Sequence, residues 1–284
     1  MKKLTIVADD YGFGPETSRA ILELANSGHL QGTVLMVNSP YAPQAVRDWQ
    51  LSQPNAELGW HPTLTSDRPI SDPQLVPSLV AKDGNFYPLK QFLQRIVLGK
   101  IRATEVEAEW QAQLQRFQEL TGHLPQLVNC HQHCGIFPPV SKVWHQIVSS
   151  LPKSTYVRNV VESPKTLCRI QGASIKRAIL SISHRLFISQ WSGNPQNNAL
   201  VGVTDPKWVA DPDFLIRWVK TASTATRLEI CCHPGYRDES LIGRDCSTGE
   251  LIRREGERKL LLDMHLRRLI GELGYQIVLP TEMQ

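Results

Sequence analysis

The chain has 284 residues, of which 41% are hydrophobic, 20% charged and 7% aromatic, a balance that builds a sizeable core and excludes disorder on a large scale. Its 31 Lys and Arg against 27 Asp and Glu leave a net charge of only +4, scattered along the chain, which argues against a nucleic-acid partner. The apolar run after Lys2 and Lys3 stops at two aspartates, too soon for a signal peptide, and no segment approaches the ~20 apolar residues of a membrane span, so a soluble cytoplasmic protein without stable membrane insertion is expected.

In chain order, residues 4–8 form a short apolar strand, and after a polar turn Pro15-Glu16-Thr17 opens a helix that runs to Ala25, with Gly28 placed as its C-terminal glycine. Residues 33–37 read as a second strand, 42–51 as a helix and 56–60 as a third strand. Residues 62–77 are rich in Pro, Ser, Thr and Asp, which predicts a long irregular loop of the kind that borders a site. Helices follow at 89–98 and 104–120, a strand at 126–130, a helix at 140–148, an extended stretch at 155–161, a helix at 175–187 and a polar loop at 192–198. Segments 213–222, 227–232, 257–273 and 275–279 continue the alternation. Strands alternating with helices imply a parallel sheet with helical crossovers, as a barrel or an open sheet. No internal repeat or linker interrupts residues 1–284, so one domain is expected.

Six cysteines in a chain this long make no dense disulfide framework, and a cytosolic setting keeps them reduced. Cys130 and Cys134 flank two histidines, but no second C-x-x-C pair completes a structural zinc site.

Four polar clusters share one address: Asp9-Asp10 after the first strand, His61 after the third, His131-Gln132-His133 after the mid-chain strand, and His233-Pro234-Gly235 after residue 232. In parallel α/β folds the carboxyl ends of the strands open onto one face, where catalytic residues gather. Asp10, His61 and His131 make a carboxylate and imidazole ligand set for one divalent metal, with zinc favoured and manganese, cobalt or magnesium alternatives. Three protein ligands leave a position open for water, whose pKa the metal lowers towards ~7. Asp9 is placed to take a proton from that water, and His233 to protonate a leaving amine.

Each cluster taken alone has a plainer explanation. Asp-Asp before a glycine-containing turn is ordinary turn chemistry, and His-Pro-Gly reads as a turn. His131 and His133 stand two apart, so on a strand both face one side. His29, His123, His145, His184 and His265 are surface or packing residues. Residues 174–190 combine Lys176, Arg177 and Arg185 with Ile175, Ile179, Leu180, Ile182 and Leu186, which predicts an amphipathic helix packed on the barrel rather than a membrane contact. Arg253, Arg254, Arg258 and Lys259 read as a solvated helix face. Two rival functions stay open: a metal-dependent phosphoesterase, which would use the same ligand types, and a sugar-binding protein without turnover.

The motifs resemble those of the YdjC-like carbohydrate deacetylases, over nearly the whole chain. The similarity rests on Ala8-Asp9-Asp10-Tyr11-Gly12, Thr33-Val34-Leu35-Met36-Val37, Gly59-Trp60-His61-Pro62-Thr63-Leu64, Cys130-His131-Gln132-His133-Cys134-Gly135 and Cys232-His233-Pro234-Gly235. The resemblance implies a deformed (β/α) barrel and removal of acetate from an N-acetylated sugar or glycolipid. It implies Asp10, His61 and His131 as metal ligands, Asp9 as base and His233 as acid. Trp60, which could stack on a sugar face, is an expected substrate contact together with His133, Tyr11 and Arg237. Trp60 and Pro62 stand where the family usually has leucines, and Gly135 where it has a third histidine. These departures point away from chitooligosaccharide as the substrate. The sequence leaves open whether the protein is a monomer or a homodimer.

Overall fold

The structure, a computed structural model, describes residues 1–188, 199–203, 209, 211–244 and 248–283. The polar loop at 192–198 and Cys246 lie outside them. Strands β1 (Lys2–Tyr11), β2 (Gly32–Leu35), β3 (Glu57–Trp60), β4 (Leu127–Val128), β5 (Tyr156–Val157), β6 (Ala199–Val201), β7 (Arg227–Cys232) and β8 (Tyr275–Ile277) pair in parallel throughout. Seven of them run in the order β5-β4-β3-β2-β1-β7-β6, and β8 joins the start of β1. The sheet curls into a half-barrel, the deformed barrel expected. Leu200 N–H donates to the Val161 carbonyl at 2.8 Å, a link between the β6 and β5 ends of the curl.

Around the sheet stand α1 (Pro15–Asn26), α2 (Ala42–Ser52), α3 (Leu89–Val97), α4 (Ala103–Thr121), α5 (Val140–Ser150), α6 (Pro164–Arg169), α7 (Ser174–Phe187), α8 (Phe214–Ala222), α9 (Thr248–Leu262) and α10 (Met264–Glu272). Side chains alternate across a strand, so the two faces of the curl receive different residues. Leu4, Ile6 and Ala8 of β1 join the main apolar core with Ile21, Leu24, Trp49, Trp110 and Phe117. Val7 instead packs with Val34, Leu127, Tyr156, Val278 and Met283. Asp9, two residues beyond Val7, therefore follows Val7 toward the interior of the curl.

Several predicted elements change. The mid-chain strand ends at Val128, and His131–Ile136 is a tight 3-10 segment in which Gln132 and His133 both adopt left-handed φ of 52° and 56°. His131 and His133 thus share no strand face. The helix predicted at 257–273 is two helices that meet at Asp263, whose carboxylate accepts the His265 N–H and caps α10. Helix α6 was not anticipated, although Ser163, which caps it by accepting the Thr166 N–H, and Pro164 form a legible start signal.

Helix α7 is rolled the opposite way from the amphipathic reading. Arg177, Leu180, Ser181 and His184 face inward, while Ile175, Ile179, Ile182 and Leu186 face solvent. Glu162 decides the roll: it receives Arg177 Nε at 2.7 Å and Nη2 at 2.6 Å, an ion pair strong enough to draw the polar face in.

Candidate active site

Adjacent residues of a regular strand point to opposite faces, so Asp9 and Asp10 could not serve one site without a distortion. The strand supplies one. Between Ala8 and Tyr11 the register of β1 against β2 slips, and Asp10 sits at φ 69°, a left-handed conformation that Asp tolerates better than most residues. Both carboxylates then lie at the C-terminal edge of β1.

The bulge sets Asp10 Oδ1 3.4 Å from His61 Nε2 and 3.2 Å from His131 Nδ1, and those two nitrogens stand 3.2 Å apart. The other polar atoms of the three residues are engaged elsewhere. His61 Nδ1 donates to the Asn129 carbonyl at 2.9 Å, His131 Nε2 meets Ser66 Oγ at 3.1 Å, and Asp10 Oδ2 receives Arg254 Nη2 at 2.5 Å. Asp10 Oδ1 is buried and accepts no hydrogen bond. Such outer contacts fix ring orientation and tautomer in metal sites. Two donors each ~2.0–2.1 Å from a tetrahedral zinc stand about 3.3 Å apart, so the spacing, the orphaned oxygen and the mixed N and O donors fit a divalent ion. Burial opposes ionisation of Asp10, but Arg254 and the facing histidines hold its carboxyl well below the usual range.

Asp9 lies beside this trio and is bound differently. Arg158 clasps it with Nη1 to Oδ2 at 2.7 Å and Nη2 to Oδ1 at 2.9 Å, and Asn129 Nδ2 adds a bond to Oδ1 at 3.3 Å. The far side of Arg158 donates Nε to Glu229 Oε1 at 2.6 Å, and Tyr156 donates its hydroxyl to Glu229 Oε2 at 2.6 Å. Burial raises the Asp9 carboxyl, yet Arg158, His61 and His233 outweigh it and hold Asp9 below the ordinary carboxylate range. Glu229 goes the other way: burial pushes it up despite Arg158 and Tyr156.

His233 Nε2 stands 3.8 Å from Asp9 Oδ2, and its Nδ1 3.8 Å from Glu257 Oε2. Its backbone N–H also donates to Glu257. With a side chain 19% exposed against 1–9% for Asp9, Asp10, His61 and His131, His233 is the most open of the five. Asp9, Cys231 and His233 form a second cluster of potential ligands, but both Asp9 oxygens already hold Arg158, which leaves the Asp10 trio as the better metal centre.

The expected substrate contacts fare unevenly. His133 is buried beside Asn129, Cys130 and Arg158, and burial, with Arg158 adding to it, keeps its ring neutral. Trp60 is wholly buried in the main core, so it packs under the site and has no face for a sugar. Tyr11 is likewise buried: the bulge turns it away from the site, its ring meets Trp49 edge-on and its hydroxyl donates to the Ala45 carbonyl at 2.7 Å. Arg237 is exposed and pairs with Glu239 at 3.3 Å. At Gly135 a Cβ would meet Cys130 Sγ at 2.5 Å, so a larger residue there would have to displace that thiol.

Arg254 and Glu257 correct another expectation. They are buried on α9 and reach Asp10 and His233, so that face of the helix is not solvated. Their spacing of three places both on one helix face, a signal present in the sequence. The loop at 62–77 does border the site, since its Ser66 orients His131.

A parallel half-barrel with a carboxylate and two imidazoles converging at its C-terminal edge defines an α/β fold in which Asp10, His61 and His131 could hold a metal ion. The family model described as YdjC-like protein matches residues 3–272, and the chain belongs to that family. A chitooligosaccharide deacetylase of Yersinia pestis (strain Pestoides F) is 25% identical over 281 residues, covering 98% of each chain. A carbohydrate deacetylase of Danio rerio is 31% identical over 174 residues, which cover 61% of this chain and 55% of the relative. One from Enterococcus faecalis is 34% identical over 134 residues, 46% of this chain and 49% of the relative. The chain thus spans about half the length of several curated relatives it matches. The crystal structure of a candidate cellobiose-phosphate cleavage protein from Enterococcus faecalis V583 superposes with a TM-score of 0.79 over 99% of this chain and 98% of its own. At 22% identity that likeness shows a shared fold.

Proposed function

We propose that the protein hydrolyses the acetamide of an N-acetylated sugar, releasing acetate, in one catalytic unit that spans the chain. The observation that carries this reading is the division of labour between neighbours: Asp10 turns an unbonded oxygen to two imidazole nitrogens, while Asp9 is clasped by Arg158 and faces His233. The name of the Danio relative supports removal of an acetyl group from a carbohydrate, and that of the Yersinia relative the acetamide of a chitooligosaccharide as the bond attacked.

Asp10 Oδ1, His61 Nε2 and His131 Nδ1 would hold one divalent ion, zinc being favoured by the two imidazoles. Bound there, such an ion supplies Lewis acidity and eases deprotonation of water near neutral pH. Asp9, ionised through its Arg158 clasp, accepts the proton of the water whose oxygen adds to the acetyl carbon. His233 gives a proton from Nε2 to the amine as the C–N bond breaks, leaving acetate and a free amino sugar. Glu257 holds His233 by its backbone and stands near its Nδ1, so the ring keeps Nε2 toward Asp9. His133 is the remaining candidate for substrate contact, with Arg237 at the outer rim. Among the described residues, Cys130, Cys134, Cys168, Cys231 and Cys232 are free thiols, in keeping with the cytoplasm as the place of the reaction.

The test is acetate release from N-acetylated mono-, oligo- and lipid-linked sugars, with zinc, manganese, cobalt and magnesium supplied separately. Phosphate release from phosphate esters without any acetate release would reverse the assignment.

A further inference from the structure

Helix α7 carries its apolar residues on the outside. Ile175, Ile179, Ile182 and Leu186 are 80%, 49%, 57% and 59% exposed, and their spacing of four, three and four places them on one stripe. The stripe is about 16 Å long at 1.5 Å per residue. It cannot be buried by rolling the helix, because the opposite face is pinned. Arg177 holds Glu162 through two nitrogens and stacks 4.6 Å from the Trp218 ring centre, Ser181 Oγ accepts the Glu162 N–H at 3.0 Å, and His184 Nε2 meets Asn159 Oδ1 at 3.1 Å. A continuous apolar stripe held outward by buried ionic contacts marks a surface that something covers.

Charge indicates what covers it. Beside the buried Arg177, which Glu162 neutralises, residues 163–188 carry Lys165, Arg169, Lys176 and Arg185 and no Asp or Glu. Arg169, the last residue of α6, lines a cavity of about 470 Å³ with Arg217 and Lys220 of α8, Arg217 also pairing with Asp211. A second copy of the chain would set two such basic surfaces against each other. A surface of anionic lipid offers acyl chains to the stripe and negative headgroups to the cations around it.

We propose that α7 docks the protein peripherally on an anionic membrane surface, with Ile175, Ile179, Ile182 and Leu186 entering the headgroup boundary and the flanking cations meeting lipid phosphates. No helix among the described residues is long and apolar enough to cross a membrane, so the contact is interfacial. The proposal goes beyond the catalytic reading and does not depend on it.

The experiment is co-sedimentation of the full chain with phosphatidylcholine vesicles, with and without phosphatidylglycerol. The expected result is partition onto the phosphatidylglycerol vesicles that weakens as salt rises. The double variant Ile179→Ser with Ile182→Ser should partition roughly tenfold less or weaker still, with an unchanged melting temperature because both side chains are exposed. Absence of partition onto anionic vesicles overturns the proposal, as does equal partition by the double variant. A concentration-dependent dimer that the double variant abolishes, without lipid binding, assigns the stripe to a second copy instead.

Discussion

Arg158 keeps two carboxylates in place inside the barrel: it clasps both oxygens of Asp9 and reaches Glu229 with its remaining nitrogen. All three side chains are at most 3% exposed, so the arrangement stands only while the guanidinium is there. Arg158→Met is expected to destabilise the fold by ~3–5 kcal/mol in urea unfolding, the usual cost of leaving a buried charge unpaired. A loss below about 1 kcal/mol would mean that Asp9 finds another partner. The convergence of Asp9, Asp10, His61, His131 and His233 was legible because each stands at or just past the C-terminal end of a strand. Arg158 was not, since nothing near it in sequence tells that β5 curls back to face β1. Trp60 and Tyr11 stand beside legible residues, yet their direction depends on strand parity and on the bulge, which no residue type announces.

At the scale of elements, α4 shows how a helix organises a loop. Glu109 accepts the N–H groups of Ile70 and Ser71 at 3.0 and 2.9 Å, Glu105 accepts that of Ser78 at 2.6 Å, and Gln113 bonds Thr63 on both its amide atoms. The sequence shows these residues only as good helix formers. Their buried role depends on which loop lies across them. The contact of β3 with β4 is set by Gly59, where an added Cβ would stand 2.1 Å from the Leu127 carbonyl oxygen. Gly59→Ala must push the two strands apart beside His61. A stability loss of ~2 kcal/mol or more, read from the melting temperature, is expected, and an unchanged melting temperature would contradict that packing.

Across the whole molecule, the alternation of strands and helices made the parallel sheet legible, and the matching motifs made the barrel legible. The pairing order and the roll of α7 were hidden, because both follow from contacts between distant segments. The fold also stores a pH dependence. Burial, helped by Arg185, lowers the His184 ring from 6.5 to about 4, so the folded protein favours its neutral form. Stability is then complete above the unfolded value and falls as pH drops from there through about 4, by roughly 3 kcal/mol. Asp9 and Asp10, held below the ordinary carboxylate value of 3.8, add losses only at lower pH still. Urea midpoints measured between neutral pH and about pH 4 should therefore decline, and His184→Gln should flatten that decline. A variant with the same slope as the parent would assign the pH dependence to other groups.

The central claim is that one metal sits on Asp10, His61 and His131 while Asp9 moves a proton without holding the ion. Bound metal and acetate release, measured together on the parent, Asp9→Asn and Asp10→Ala, test it most directly. One divalent ion per parent chain is expected, retained in Asp9→Asn with acetate release down by ~10²-fold or more, and lost in Asp10→Ala. Metal lost from Asp9→Asn, or full acetate release by Asp10→Ala, would contradict the account.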